Sequence, residues 1–264
     1  MITGAAAMSA LLASNAEAAQ NAGRSSGKPT RSFLELKTWR LHNSEEGQAK
    51  RVSEYIESGL FPALTRAGAK PVAALSNLIG PDGPSMFTIV QYPSLGAMQD
   101  ALANIATDEA HEKASQKLSS GLGLPFVGLE SSVLHSLDVL PEAVLSTGSG
   151  NGHARIFELR TYQSQSMTAL KKKAGMFNGG EIAIFQRLNM QPVFIGETII
   201  GPRQPNITYM LSFENLDGRE KLWQEFGSDP AWKKLSAPPE LKDAEIVANI
   251  SNVILRPLPF SPLR

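Results

Sequence analysis

The sequence predicts an α+β fold: tandem ferredoxin-like β-α-β-β-α-β units pairing sheet-to-sheet into an α/β barrel. Three observations predict it. The chain repeats itself, each half runs through the same succession of strand and helix periodicities, and several strands are apolar on both faces.

The repeat comes first, because it decides the architecture. Gly80-Pro81-Asp82-Gly83-Pro84 is matched by Gly201-Pro202-Arg203-Gln204-Pro205. The same shift carries Pro71-Val72 onto Pro192-Val193, Tyr92-Pro93-Ser94-Leu95 onto Phe213-Glu214-Asn215-Leu216, and Asp108 onto Asp229. At the opening strands the shift is two residues longer, placing Glu35 on Glu158. The resulting layout is a leader-like segment with a linker (1–31), a first unit (32–140), a Ser/Gly-rich linker (141–153) and a second unit (154–258).

Each unit can be read in order. Leu34, Leu36 and Thr38 alternate with Glu35, Lys37 and Trp39, the period of a strand. Val52, Ile56, Leu60 and Leu64 recur at four-residue spacing and predict a helix over 47–66. In the second unit 167–188 holds that place, with Leu170, Ala174, Phe177, Ile184 and Leu188 as its core stripe, and Gly179-Gly180 is expected to interrupt it. Two apolar runs around the Gly-Pro turn read as a hairpin, 72–79 with 85–92 and 193–200 with 206–213. A second helix starts at Ser94 or Asn215, both good N-caps. Closing strands are expected over 130–138 and 245–255. A ferredoxin-like sheet leaves one face bare, and two such faces cover each other in a barrel. Phe87, Ile89, Tyr209 and Leu211 fit strands covered on both sides.

Composition excludes several function classes. The 25 basic residues are balanced by 25 acidic ones, so no excess charge is available to neutralise phosphates, and nucleic acid is not expected as a partner. No apolar run is long enough to span a bilayer. There is no cysteine, which removes thiolate nucleophiles and Cys-ligated metals. Residues 1–19 are small and apolar and contain Ala16-Glu17-Ala18, an A-x-A pattern that predicts export with cleavage near Ala18. No Lys or Arg precedes Arg24 to form the usual basic start.

Phe157-Glu158-Leu159-Arg160-Thr161-Tyr162, the Gly-Pro hairpin, and the Trp223, Phe226, Asp229, Pro230 and Trp232 series together resemble the NIPSNAP family. The resemblance covers 155–255 well and 33–139 more weakly. Trp39 stands where the second unit has Tyr162, and His111 where it has Trp232, so the first unit resembles a degenerate copy. The resemblance implies a dimeric α/β-barrel fold and supplies no catalytic set.

The candidate site follows from alternation. If Phe157 and Leu159 face the helices, Glu158, Arg160 and Tyr162 face the barrel lumen, joined by Glu35, Lys37 and Trp39 of the first unit. These six are the candidate ligand-binding residues, with Arg160 or Lys37 as an anion contact. The competing reading is a set of cross-barrel salt bridges. A small aromatic or anionic molecule is the expected ligand, and a second copy of the chain a further candidate partner. Asp229 and Pro230 read as a helix cap and first helical residue, with Trp223 and Trp232 packed against the sheet. Lys171-Lys172-Lys173 reads as a solvated helix face. His42, His111, His135 and His153 lack metal-ligand spacing, so no metal and no cofactor is expected. Heme-binding relatives of the barrel leave His111 or His135 as axial-ligand candidates. A binding role is expected ahead of catalysis. The alternative is a cofactor-independent or heme-dependent barrel enzyme.

Overall fold

Period-two alternation at the start of each half becomes a strand in a computed structural model that describes residues 30–145 and 155–264. In the first half, β1 (Phe33–Arg40) leads to α1 (Gln48–Tyr55), a π-helical turn (Ile56–Leu60) and α2 (Phe61–Arg66). β2 (Lys70–Ile79) and β3 (Ser85–Tyr92) form the hairpin, followed by α3 (Leu95–Ala106), α4 (Glu109–Ser119) and β4 (Gly128–Ser136). The second half repeats this order. It runs through β5 (Ile156–Gln163), α5 (Met167–Met176), a π-helical turn (Phe177–Glu181), α6 (Ile182–Arg187), β6 (Gln191–Ile200) and β7 (Asn206–Phe213). It ends with α7 (Leu216–Ser228), α8 (Pro230–Leu235), a 3₁₀ turn, α9 (Asp243–Ile246) and β8 (Asn249–Pro257). The expected cleavage point near Ala18 and the 146–153 part of the linker lie outside the described residues.

The eight strands close into a barrel in the order β1-β3-β2-β8-β5-β7-β6-β4. Each half contributes a four-stranded ferredoxin-like sheet. Antiparallel pairing of β2 with β8 and of β4 with β6 joins the two sheets, leaving no strand edge open. Leu34, Leu75, Ile89, Phe157, Phe194, Met210 and Leu255 form a cluster that draws on strands of both halves and on no helix, so it fills the lumen. Two further cores lie outside the barrel, one under the helices of each half.

One end of the lumen is plugged by two pseudo-symmetric segments. Residues 137–145 donate from Leu137 N to Ile195 O (3.1 Å) and from Val144 N to Val193 O (2.8 Å). The C-terminal tail donates from Leu258 N to Ala74 O (2.9 Å), and Ser261 Oγ accepts from Ala74 N (3.1 Å). Ala143 and Leu263 join the lumen core from these segments.

The expected caps form. Ser94 Oγ accepts from Ala97 N, Asn215 Oδ1 from Gly218 N, and Asp229 Oδ1 from both Ala231 N and Trp232 N. As the Asp229 cap implies, the second helix of the second half breaks in two there, and that of the first half does the same at Asp108. β4 begins at Gly128, two residues early, and β8 begins only at Asn249, because α9 occupies the residues before it. The Gly179-Gly180 interruption is the second π-helical turn, where Gly180 takes φ 155°, outside the range of an L side chain. Its counterpart at Ile56–Leu60 was not expected, since the four-residue apolar spacing reads as unbroken helix. Gly59 holds that turn because a Cβ there would collide with Ala114 of α4.

Candidate functional site

The polar residues of β5 do not face the lumen. Phe157 and Leu159 point into it, while Glu158, Arg160 and Tyr162 lie between the sheet and helices α5–α8. The first half behaves the same way: Leu34 and Leu36 are lumenal, and Trp39 packs under α1 and α2. The expected inward placement of Glu35, Lys37, Trp39, Glu158, Arg160 and Tyr162 is therefore corrected for all six. Alternation separates a strand's two faces but does not say which is inside. The narrow lumen is filled by aliphatic and phenyl side chains from both halves. Only the helix layer offers partners for charge.

Glu158 is the hub. Its carboxylate is fully buried and accepts five hydrogen bonds. Arg219 on α7 donates Nη2 to Oε1 (2.6 Å) and Nε to Oε2 (2.9 Å). Trp223 Nε1, one turn further on the same helix face, donates to Oε2 (2.8 Å). Asn252 of β8 and Arg160 donate to Oε1 at 2.9 and 2.8 Å. Burial alone would raise the carboxyl's pKa, but these donors and the charge of Arg160 outweigh it and hold Glu158 below the ordinary carboxylate range.

Arg160 extends the cluster inward. Its guanidinium lies 4.4 Å from the Trp223 ring centroid and 5.3 Å from that of Tyr162. Nη2 donates to Tyr162 OH (3.1 Å), which also accepts from Tyr209 OH (2.8 Å). Arg160 Nε is buried with no hydrogen-bond partner. Burial, reinforced by Tyr162, pushes the Tyr209 phenol well above its usual range, so Tyr209 stays protonated at neutral pH.

Lys173 is a second correction. It sits on the buried side of α5, not on a solvated face, with Nζ 3.0 Å from Glu181 Oε2 and 3.2 Å from Oε1. The rings of Phe177, Tyr162 and Trp232 surround the ammonium at 4.8, 5.1 and 5.4 Å. Lys173 lies between Leu170, Ala174 and Phe177 in the apolar stripe, and that position, rather than the lysine run, is the informative signal. Glu181, completely buried, is raised above its ordinary range because desolvation outweighs the attraction of Lys173.

The buried set thus holds three cations, Arg160, Lys173 and Arg219, against two carboxylates, Glu158 and Glu181. Arg219 also approaches the exposed Glu220 at 3.8 Å. In the first half the matching positions are mostly apolar. Val52 stands for Lys173, Leu60 for Glu181, Met98 for Arg219, Leu102 for Trp223 and Thr88 for Tyr209. Glu35 survives there with a local set of partners, Lys37 Nζ (2.9 Å), Ser131 Oγ (3.0 Å) and Tyr92 OH (3.3 Å). Trp39 Nε1 donates to Thr88 Oγ1 (3.3 Å). The six expected residues therefore fall into two separate clusters, and the one around Glu158 is much the larger.

The histidines have structural partners. His111 Nε2 lies 2.8 Å from Tyr55 OH, His135 stacks on Phe33, and His42 pairs with Glu46. His153 lies outside the described residues. Among the described residues no group of three or more His, Asp or Glu side chains is placed to hold a metal ion. No helix there is long and apolar enough to cross a membrane.

The NIPSNAP family model matches residues 157–262. Among solved structures, a candidate monooxygenase from Lactobacillus acidophilus NCFM superposes with a TM-score of 0.56 at 10% identity, over 85% of this chain and 93% of that one. One from Fusobacterium nucleatum gives 0.56 at 10% identity, over 87% and 94%. A NIPSNAP family protein of unknown function from Agrobacterium tumefaciens str. C58 is 25% identical over 43% of this chain and 96% of its own, with a TM-score of 0.38. No curated protein matches the sequence. At 10% identity the likeness is one of fold, which carries no reaction.

Proposed function

We propose, from the match of residues 157–262 to the NIPSNAP family model and from the tandem α/β barrel, that the chain is a small-ligand-binding barrel protein whose second half receives an anionic, aromatic molecule at the Glu158–Arg160–Arg219 cluster. One observation carries the reading. The first half builds the same β-α-β-β-α-β unit with apolar residues at most of these positions, so the fold does not require the charges. Buried ion pairs commonly stabilise less than well-packed apolar replacements. Glu35–Lys37 repeats the Glu158–Arg160 pair, but the added charges Arg219, Lys173 and Glu181 occur in the second half alone, which points to a use beyond folding.

The chemistry fits a carboxylate attached to a ring. Three buried cations face two buried carboxylates, with the exposed Glu220 3.8 Å from Arg219, and Arg160 has a donor without a partner. The rings of Trp223 and Tyr162 flank that donor, the guanidinium lying 4.4 and 5.3 Å from their centroids, so an incoming ring would take over the Trp223 face from Arg160. Arg219, the more exposed of the two arginines, can release Glu158 to bond an incoming anion. Neither Glu158, held charged by four donor side chains, nor Tyr209, held protonated, is suited to act as a base at neutral pH, and Glu181, raised by burial, is paired with Lys173.

Calorimetric titration with benzoate and 4-hydroxybenzoate tests the reading. Saturable binding by the wild-type chain, weakened at least tenfold in Arg160→Met, is expected. Equal affinity in the variant, or no heat in the wild type, would refute it.

A further inference from the structure

The plug formed by 137–145 and 258–264 closes one end of the lumen, and the other end is open. There, beside the β6–β7 turn, lies a cavity of about 120 Å³. Its floor is apolar, made by Leu36, Phe87 and Leu159, and its walls carry hydroxyls from both halves of the chain.

Most of these hydroxyls are engaged with one another. Thr161 Oγ1 and Thr208 Oγ1 lie 2.9 Å apart, and Asn206 Oδ1 accepts from Thr208 (3.2 Å) and Thr198 (2.6 Å). Thr38 and Ser132, on the neighbouring strands β1 and β4, have no side-chain partner among the described residues. Arg203 stands at the rim, its backbone at φ 60°. Its Nη1 donates to Ser251 Oγ (3.0 Å) across the opening, and its carbonyl accepts from Asn206 Nδ2 (3.0 Å). It has no carboxylate partner among the described residues. The acid in the lining, Glu130, is paired with Arg40 at 3.5 Å.

We propose that this mouth is a second binding site, independent of the Arg160 cluster, for a short-chain carboxylate of two or three carbons. Arg203 meets the carboxylate, Thr38 and Ser132 donate to it, and the alkyl end rests on the apolar floor. Size restricts the ligand. At about 120 Å³ the cavity suits a molecule of acetate or propionate size.

Titrating sodium acetate into ¹⁵N-labelled full-length protein at constant ionic strength tests the assignment. Saturable shifts of the Thr38, Ser132 and Thr161 amides are expected. They weaken at least tenfold in Arg203→Gln, disappear in Thr38→Leu, which fills the mouth without changing charge, and persist in Arg160→Met. Absence of shifts at the mouth, wild-type affinity in Arg203→Gln or Thr38→Leu, or loss in Arg160→Met would each overturn the proposal. Because acetate binding is read at the mouth and benzoate binding at Arg160, either site can fail without the other.

Discussion

Lys173 meets Glu181 across the π-helical turn of the second half, Nζ to Oε2 at 3.0 Å, where the first half places Val52 and Leu60. The same turn therefore exists with a buried ion pair and with an aliphatic pair. Replacing one partner strands a charge, and Lys173→Val or Glu181→Leu alone is expected to cost about 3–5 kcal/mol. The double variant Lys173→Val/Glu181→Leu imports the first half's solution and is expected to recover most of that loss or to exceed wild-type stability. Urea melts of the four proteins give the coupling energy. Additive losses would mean that the pair is not one unit.

Glu158 sets the behaviour of the fold in acid. Its folded-state pKa lies below the ordinary 4.5, so its ionisation contributes stability that is fully present above about pH 4.5 and is lost as pH falls through the lower folded value. Glu158→Gln leaves Arg160 and Arg219 without their anion and is expected to cost about 3–5 kcal/mol at pH 7. That deficit should shrink below pH 4.5. A deficit of constant size from pH 7 to pH 3 would show that the carboxylate's charge is not what stabilises the cluster.

Trp223 serves Glu158 through its N–H as well as Arg160 through its ring. Trp223→Phe keeps an aromatic face but removes the 2.8 Å bond to a buried charge, and is expected to cost about 2 kcal/mol. Trp223→Leu, the residue of the first half, should cost more, because the face over Arg160 also goes. Equal losses would assign the whole contribution to the hydrogen bond.

The inward placement of Phe157 can be tested by truncation. Phe157 is fully buried in the lumen cluster, so Phe157→Ala is expected to cost about 3–5 kcal/mol through the cavity it leaves. Isothermal denaturation measures it. A cost below about 1 kcal/mol would mean that the barrel interior collapses around the gap.

The repeat, the order of elements and the closed barrel were legible because they rest on spacing: the Gly-Pro turns, the period-two strands and the Asp229 cap recur wherever the fold needs them. Orientation was not legible. Phe157/Leu159 and Glu158/Arg160 alternate with the same period whichever side faces the helices, and only the partners on α7, Arg219 and Trp223, decide the matter. Those partners lie about 60 residues away in sequence, so no local pattern could report them. Lys173 was hidden differently. Two exposed lysines precede it, and the triplet looks like one solvated face, although its place between Leu170 and Phe177 is that of a core residue. The π-helical turn at Ile56–Leu60 left no trace at all, since four-residue spacing serves a regular helix equally well.

Pairing of β2 with β8 and of β4 with β6 closes the barrel within one polypeptide. A barrel assembled from two identical chains carries every site twice, by symmetry. Covalent fusion lifts that constraint, and here the two halves differ: only one carries Arg219, Lys173 and Glu181, and only one contributes the arginine over the mouth. The expected stoichiometry, if both proposed sites bind, is one aromatic anion and one short carboxylate per barrel, so saturation curves for both ligands should be hyperbolic with a single class of site.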